Sequence, residues 1–270
     1  MQYELGIIGA GNMAEAIVRG VVRAGLFSAD RIIAADVSAE RRDFFANQLH
    51  VKAVEQNIDV ARQASVLLLS VKPQQMASAL ATLGPATDPK TLIISIAAGV
   101  SSAFIEKNLG GDKRWRVIRC MPNTPMLVGA GMAGIARGAN ATADDIAIAR
   151  RIFESAAEVI EVDEDKIDAV TAMSGSGPAY FFYLVEQMVN AGVELGLTAE
   201  QSRLLSAQTA LGAAKMLMAS SDSPEELRRK VTSPGGTTHA AVSYLESHAV
   251  GAAIVEAIKA AQRRGRELGQ

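Results

Sequence analysis

Residues 6–16, "GIIGAGNMAEA", constrain the fold more than any other stretch of the chain. They set Gly9-x-Gly11-x-x-Ala14 directly after a β-branched run and at the opening of a helical one. Gly9 permits a tight turn, Gly11 lets the backbone approach a pyrophosphate, and Ala14 allows a helix to pack closely on a sheet with its N-terminus facing the anion. The pattern alone can mark a mere turn. In a strand, turn and helix context, with a further strand ending at Asp36, it predicts a dinucleotide site.

The same alternation continues to about residue 160. Candidate strands are "ELGIIG" (4–9), "RIIAAD" (31–36), "SVLLLSV" (65–71), "TLIISIA" (91–97), "RVIRC" (116–120), "GMAGIA" (131–136) and "AEVIEV" (157–162). Runs such as "NMAEAIVRGVVRAG" and "SAERRDFFANQL" lie between them, with apolar residues three or four apart. This order predicts an α/β fold: an N-terminal Rossmann-like, doubly wound, mostly parallel sheet over residues 1–162.

After residue 162 the strand signals stop. "DKIDAVTAMSGSGPAYFFYLVEQMVNAGVELG", "TAEQSRLLSAQTALGAAKMLMAS", "SPEELRRKV", "THAAVSYLES" and "VGAAIVEAIKAAQRRGREL" all read as helices, so 163–270 is expected to be an all-α domain. Its first two helices carry Ala, Gly, Leu and Met on more than one face, more apolar surface than a lone helical unit can hide. Burial against a second subunit is the expected remedy, which makes this the dimerisation domain.

Charge and composition narrow the partners. Lys and Arg number 27 against 29 Asp and Glu, and the net charge of -2 gives no electrostatic reason to approach nucleic acid or anionic lipid. The most apolar stretches fall well short of the roughly 20 residues a membrane helix needs. "MQYELGIIGAGNM" has no basic segment followed by an apolar one and a cleavage site, and Cys120 stands alone, so a cytoplasmic protein is expected. His50, His239 and His248 have no company that would make a metal site, and metal-free chemistry is expected. The expected partners are a small-molecule substrate and a second copy of the chain.

Asp36 ends the second strand, where a carboxylate accepts from the adenosine ribose and favours NAD over NADP. Arg41 and Arg42 follow closely and could hold a 2′-phosphate or could lie on a solvated helix face, so cofactor preference stays open between the two. "SVKPQ" (70–74), with Pro73 stopping the ladder, and "SIAAGVS" (95–101) lie at carboxyl ends of parallel strands, where open α/β sheets bind ligands. Ala97 and Ala98 leave room there for a flat nicotinamide ring, or simply pack closely. In "RCMPNTP" (119–125), two prolines bracket Asn123 and Thr124; the rigid loop can present an amide and a hydroxyl to a cofactor, although an unliganded turn needs much the same residues.

In this order, "IGAGNMA", "VKPQ", "AAGVS", "RCMPNTP", "SGSGPAY" and "SPGGTTHAAVSYLE" resemble pyrroline-5-carboxylate reductase over almost the whole chain. The resemblance implies an NAD(P)H-dependent reduction of 1-pyrroline-5-carboxylate to proline, the last step of proline biosynthesis. It implies cofactor contacts at Ala10, Asn12, Met13, Asp36, Ser38, Asn57, Val71, Lys72 and Ala98, beside Gly9, Gly11, Pro73, Ala97 and Asn123, which the residues themselves make candidates. It also implies substrate contacts at Glu164, Ser233, Gly236, Thr237 and Thr238, a homodimer in which the "SPGGTT" helix comes from the partner subunit, and a larger ring such as a decamer. NADP is the expected cofactor and NAD the alternative. Where some relatives place an asparagine near the nicotinamide ribose this chain has Lys230, so that contact is not carried over.

The residues support this independently. A helix N-terminus has unpaired N–H groups and a partial positive charge, so "SPGGTTH" suits a small carboxylate; Ser233 or Thr237 as an ordinary cap would explain the Pro-Gly-Gly turn less fully. Thr238 is the candidate catalytic residue, hydrogen bonding at the ring nitrogen; its hydroxyl is too weak an acid to supply a proton unaided. "SGSGPAY" (174–180) interrupts a helical pattern and marks either a kink or a close approach. Glu164 sits in the acidic run "EVDEDK", most simply a solvated face, and Lys166 there reads as a surface ion pair rather than a catalytic base. The rival readings are a dehydrogenase of another cyclic imine or small hydroxy acid, and a catalytically silent nucleotide-binding scaffold.

Overall fold

In the strand Ala64–Leu69, Val66 and Leu68 join one apolar cluster and Leu67 and Leu69 another, because successive side chains of an extended chain point to opposite faces. A strand apolar on both faces needs cover on both, and the computed structural model, which describes residues 2–110 and 113–268, supplies it. The elements run β1 (Tyr3–Ile8), α1 (Asn12–Arg23), β2 (Ile32–Ala35), α2 (Ala39–Gln48), β3 (Lys52–Val54), α3 (Asn57–Ala61), β4 (Ala64–Leu69), α4 (Pro73–Leu83), β5 (Leu92–Ser95), α5 (Ser102–Asn108), β6 (Arg116–Pro122), β7 (Gly131–Arg137), α6 (Ala143–Glu154) and β8 (Ala157–Glu161). One core cluster gathers Ile17, Phe45, Ile152 and Phe153 from α1, α2 and α6; the other gathers Val60, Leu80 and Ile105 from α3, α4 and α5.

Among the described residues the strands form one sheet in the order β3-β2-β1-β4-β5-β6-β7-β8. Every pair is parallel except β6 and β7, which a short 3-10 turn at Thr124–Val128 joins antiparallel. The doubly wound, mostly parallel sheet expected from the sequence is therefore present. β3 was not foreseen, since three residues, "KAV", give too short a run to read. Four expected strands also end early: β1, β2, β4 and β5 stop before Gly9, Asp36, Ser70 and Ile96, each of which keeps one backbone bond to a neighbouring strand as the chain leaves the sheet. Pro73 stops no ladder; it is the first residue of α4, where its missing N–H costs nothing.

The described residues divide into two compact units, one holding those up to Ser176 together with Ala261–Leu268, the other Gly177–Ala260. The first unit thus runs past residue 162, because the segment after β8 packs on the sheet. A 3-10 turn (Glu164–Lys166), α7 (Ile167–Val170) and a π-helical turn (Thr171–Gly175) bury Ile167, Val170 and Ala172. Gly134 of β7 has no room for a Cβ against Val170, at 2.7 Å.

The second unit holds α8 (Gly177–Glu194), α9 (Ala199–Ala219), α10 (Pro224–Lys230), α11 (Thr237–Ser247) and the first part of α12 (Val250–Leu268). The expected single helix through "SGSGPAY" is broken at the π turn, and Pro178 lies in the first turn of α8 rather than at a kink. A capping box at Thr198 and Gln201 starts α9. Helices α8 and α9 meet where a Cβ on Gly192 would lie 2.5 Å from the Ser202 hydroxyl. The residues buried in α8 and α9 are Gly177, Gly192, Ser202 and Ser206, whereas Phe181, Phe182 and Tyr183 are 66%, 68% and 67% exposed. A helical unit whose large apolar side chains face outward has no core of its own.

Candidate active site

Gly9 takes φ +95°, and a Cβ there would lie 2.7 Å from the Ser70 carbonyl oxygen, so the turn after β1 admits glycine alone. Gly11 differs. It caps α1 in an ordinary extended conformation without a side-chain bond, and a Cβ on it would meet no protein atom within 4 Å. Packing of the protein therefore does not require glycine at 11. The first amides of α1, including those of Asn12 and Met13, have no intrahelical acceptor, the arrangement that holds a pyrophosphate.

A cleft of about 730 Å³ opens over this turn, within the size range of small-molecule sites. Gly9, Gly11, Asp36, Asn57, Val71 and Lys72 line it. Asn57 starts α3; Val71 and Lys72 lead from β4 into Pro73 and α4. The Ser38 hydroxyl caps α2 by accepting from the Arg41 N–H at 3.3 Å.

The Asp36 carboxylate accepts from the Ala10 N–H at 2.7 Å and from the Ser38 N–H at 2.8 Å. Neither arginine lies on a solvated face. Arg41 donates from Nε to the Ala10 carbonyl at 2.6 Å and from Nη2 to Glu15 at 3.2 Å, and its guanidinium stands 4.7 Å from the centre of the Phe44 ring. Arg42 donates from Nη1 to the carbonyls of Asp36 and Val37, both at 2.9 Å. Arg42 thus braces the loop that carries Asp36, and Arg41 ties α2 to the turn after β1.

At the carboxyl end of β5, the Ile96 N–H donates to the Leu69 carbonyl at 3.1 Å, placing the "AAGVS" loop beside the β4 end. Ala97 is buried, Ala98 half-buried, and Gly99 takes φ +76°. Asn123 is spent inside the protein: its amide oxygen accepts from the Met132 N–H at 2.9 Å and its amide nitrogen donates to the Ser174 carbonyl at 3.2 Å. The "RCMPNTP" loop is held by Asn123, which is the structural use the sequence also allowed.

Glu164 is not on a solvated face. Its carboxylate accepts from the Ser102 N–H at 2.7 Å and the Ser102 hydroxyl at 2.5 Å, and pairs with the buried Arg119 at 3.3 Å. Arg119 also approaches Asp168 at 3.8 Å. Sequence reasoning missed Ser102 and Arg119, although an arginine inside the apolar run "RVIRC" was a signal that a buried partner had to exist. Nearby, burial raises the Glu106 carboxyl above its usual value, the negative Glu164 adds to the rise, and the Ala139 backbone opposes it. Lys166 pairs at the surface with Asp165 at 2.7 Å, as expected, and that hydrogen bond raises its pKa.

In the second unit, Gly235 takes φ +73° and Gly236 caps α11 in an extended conformation with no side-chain bond. Neither Ser233 nor Thr237 caps the helix, so the first amides of α11 stay free of intrahelical partners. Thr238 is half-buried, while Ser233, Thr237 and His239 are exposed. Lys230 donates to Asp222 at 2.5 Å, and this bond together with one from Ser220 lowers the Asp222 pKa. Among the described residues no helix is long and apolar enough to cross a membrane.

Residues 164–268 match the family model described as pyrroline-5-carboxylate reductase dimerisation, and residues 4–99 match the one described as NADP oxidoreductase, coenzyme F420-dependent. The pyrroline-5-carboxylate reductase of Pseudomonas aeruginosa is 42% identical over 267 residues, 98% of this chain and 97% of that one. The solved pyrroline-5-carboxylate reductase of Coxiella burnetii, 39% identical, superposes with a TM-score of 0.91 over 100% of both chains. That of Plasmodium falciparum, solved with NADP bound, is 29% identical with a TM-score of 0.90, again over 100% of both. With this identity over the full length of each domain, the chain belongs to the pyrroline-5-carboxylate reductase family.

Proposed function

We propose that this chain reduces 1-pyrroline-5-carboxylate to L-proline with NADPH or NADH, the last step of proline biosynthesis. The observation that carries the reading is the start of α11, where "SPGGTT" leaves helix amides free and uncapped in a chain related over its whole length to named reductases of this substrate. The dinucleotide supplies a hydride. Gly9, Gly11 and the first amides of α1 hold its pyrophosphate, and Asp36 faces its adenosine ribose. The free amides of α11 and the Ser233 hydroxyl hold the substrate carboxylate, helped by the positive end of the helix dipole.

The reaction needs a protonated ring nitrogen, because positive charge makes the C=N carbon a better hydride acceptor. Thr238 hydrogen-bonds at that nitrogen and fixes the ring's orientation, so that binding energy is used for alignment. The proton arrives with the iminium form of the substrate, since a threonine hydroxyl cannot supply it. The carbon gains the hydride, the C=N double bond becomes a single bond, and the nitrogen keeps its proton as the amine of proline.

The outward apolar side chains of α8 and α9 favour a homodimer formed through residues 163–270, with dimers assembling into a decamer and the protein working in the cytoplasm. Purified protein with 1-pyrroline-5-carboxylate should consume NADPH or NADH, read by nicotinamide absorbance, and form proline. Binding of either nucleotide without turnover would reject the reductase reading. Light scattering that finds a monomer would reject the dimer.

A further inference from the structure

Glu164 is the first residue after β8 to enter a turn, and Ser102 the first residue of α5, 62 positions earlier. Both oxygens of the one carboxylate close on Ser102, one on its N–H and the other on its hydroxyl. The Arg119 side chain, only 8% exposed, meets the same carboxylate from β6, where Arg119 stands in register with Ser95, the last residue of β5. Ser102 itself has nowhere to retreat: it is buried, and a Cβ on Gly138 would lie 2.8 Å from the Ser102 Cβ. Between Ser95 and Ser102 runs the loop that carries Ala97 and Ala98, bonded at Ile96 to the end of β4. That loop is thus pinned at one end by the sheet and at the other by Glu164.

We propose that Glu164 is a positioning residue that sets the Ile96–Ser101 loop, and through it the nicotinamide end of the dinucleotide site, and does not itself bind the substrate. The proposal rests on the reading of this loop as the nicotinamide wall. Its physical basis is saturation. A carboxylate that already accepts from an N–H, a hydroxyl and a guanidinium has little capacity left for a ligand, whereas a short loop fixed at both ends moves when either anchor is lost.

The test separates the two roles. Dissociation constants for NADPH and NADH are measured by calorimetry without substrate, and KM for 1-pyrroline-5-carboxylate separately, in wild type, Glu164→Ala, Glu164→Gln and Ser102→Ala. Glu164→Ala is expected to weaken the better dinucleotide about tenfold while the imine KM stays within about twofold. Glu164→Gln should recover most of the affinity, because its amide oxygen still accepts from the Ser102 N–H and its amide nitrogen can donate to the hydroxyl. Ser102→Ala, which keeps the N–H bond, should weaken binding about threefold, and it carries the test should Glu164→Ala not fold. Unchanged dinucleotide affinity in Glu164→Ala and Ser102→Ala, or a raised imine KM with unchanged affinity, would overturn the proposal. The calorimetric comparison needs no turnover, so a wild type that binds dinucleotide but does not reduce the imine would reject the function proposed above and leave this result standing.

Discussion

The Asp36 carboxylate, at the end of β2, accepts a hydrogen bond from the Ala10 N–H of the turn after β1 at 2.7 Å. One side chain therefore ties the end of β2 to the turn after β1 at the cleft, and its carboxylate is fixed in place. A fixed negative charge tolerates a ribose hydroxyl and repels a 2′-phosphate. With Arg41 held by the Ala10 carbonyl and Arg42 by the Asp36 carbonyl, Asp36→Ser is expected to shift the kcat/KM ratio of NADPH to NADH about tenfold toward NADPH. Parallel titrations with NADP and NAD should move the same way; an unmoved ratio would show that the arginines govern the site.

The two glycines of the turn should respond in opposite ways. Gly9→Ala forces a Cβ toward the Ser70 carbonyl at positive φ and should cost about 2 kcal/mol or more of stability. Gly11→Ala meets no protein atom within 4 Å, so its melting temperature should match wild type while the NADPH dissociation constant rises about tenfold. Thermal melts and calorimetry check both.

Thr238 stands in the first turn of α11, half-buried beside free helix amides. Removing its hydroxyl in Thr238→Ala should raise the imine KM or lower kcat by about tenfold without weakening NADPH. Wild-type kinetics in the variant would remove Thr238 from the mechanism.

Glu106 gives a pH dependence of stability. Its folded pKa is raised, by burial first and by Glu164 second, so the folded state binds more protons than the unfolded state just above the ordinary value of 4.5. The contribution is fully present below that value and is lost as pH rises through the folded pKa. Glu106→Gln should flatten this decline in melting temperature, measured from about pH 4 to pH 8. An equal slope in variant and wild type would locate the dependence elsewhere.

Several features were legible because they depend on neighbours in sequence. The strands β1, β4, β5 and β7 announce themselves as apolar runs, and the tight turn after β1 follows from Gly9 and Gly11 at fixed spacing. The start of α11 was equally readable, since "SPGGTT" needs only local backbone geometry. β3 was lost because three residues carry no periodicity. The helical reading through "SGSGPAY" failed because burial of Ile167, Val170 and Ala172 against the sheet ties that segment to the first unit.

The sequence by itself determined the doubly wound sheet, the glycine turn after β1 and the uncapped helix start of α11. These rest on periodicity and on backbone conformations that few residues allow. Only the tertiary structure decided what the charged and polar side chains do. Arg41 bonds across 31 positions to Ala10, Asn123 across 51 to Ser174, and Glu164 across 62 to Ser102. No local pattern encodes such pairs, because a buried charge or amide is satisfied by whatever partner the folded chain brings within hydrogen-bond reach.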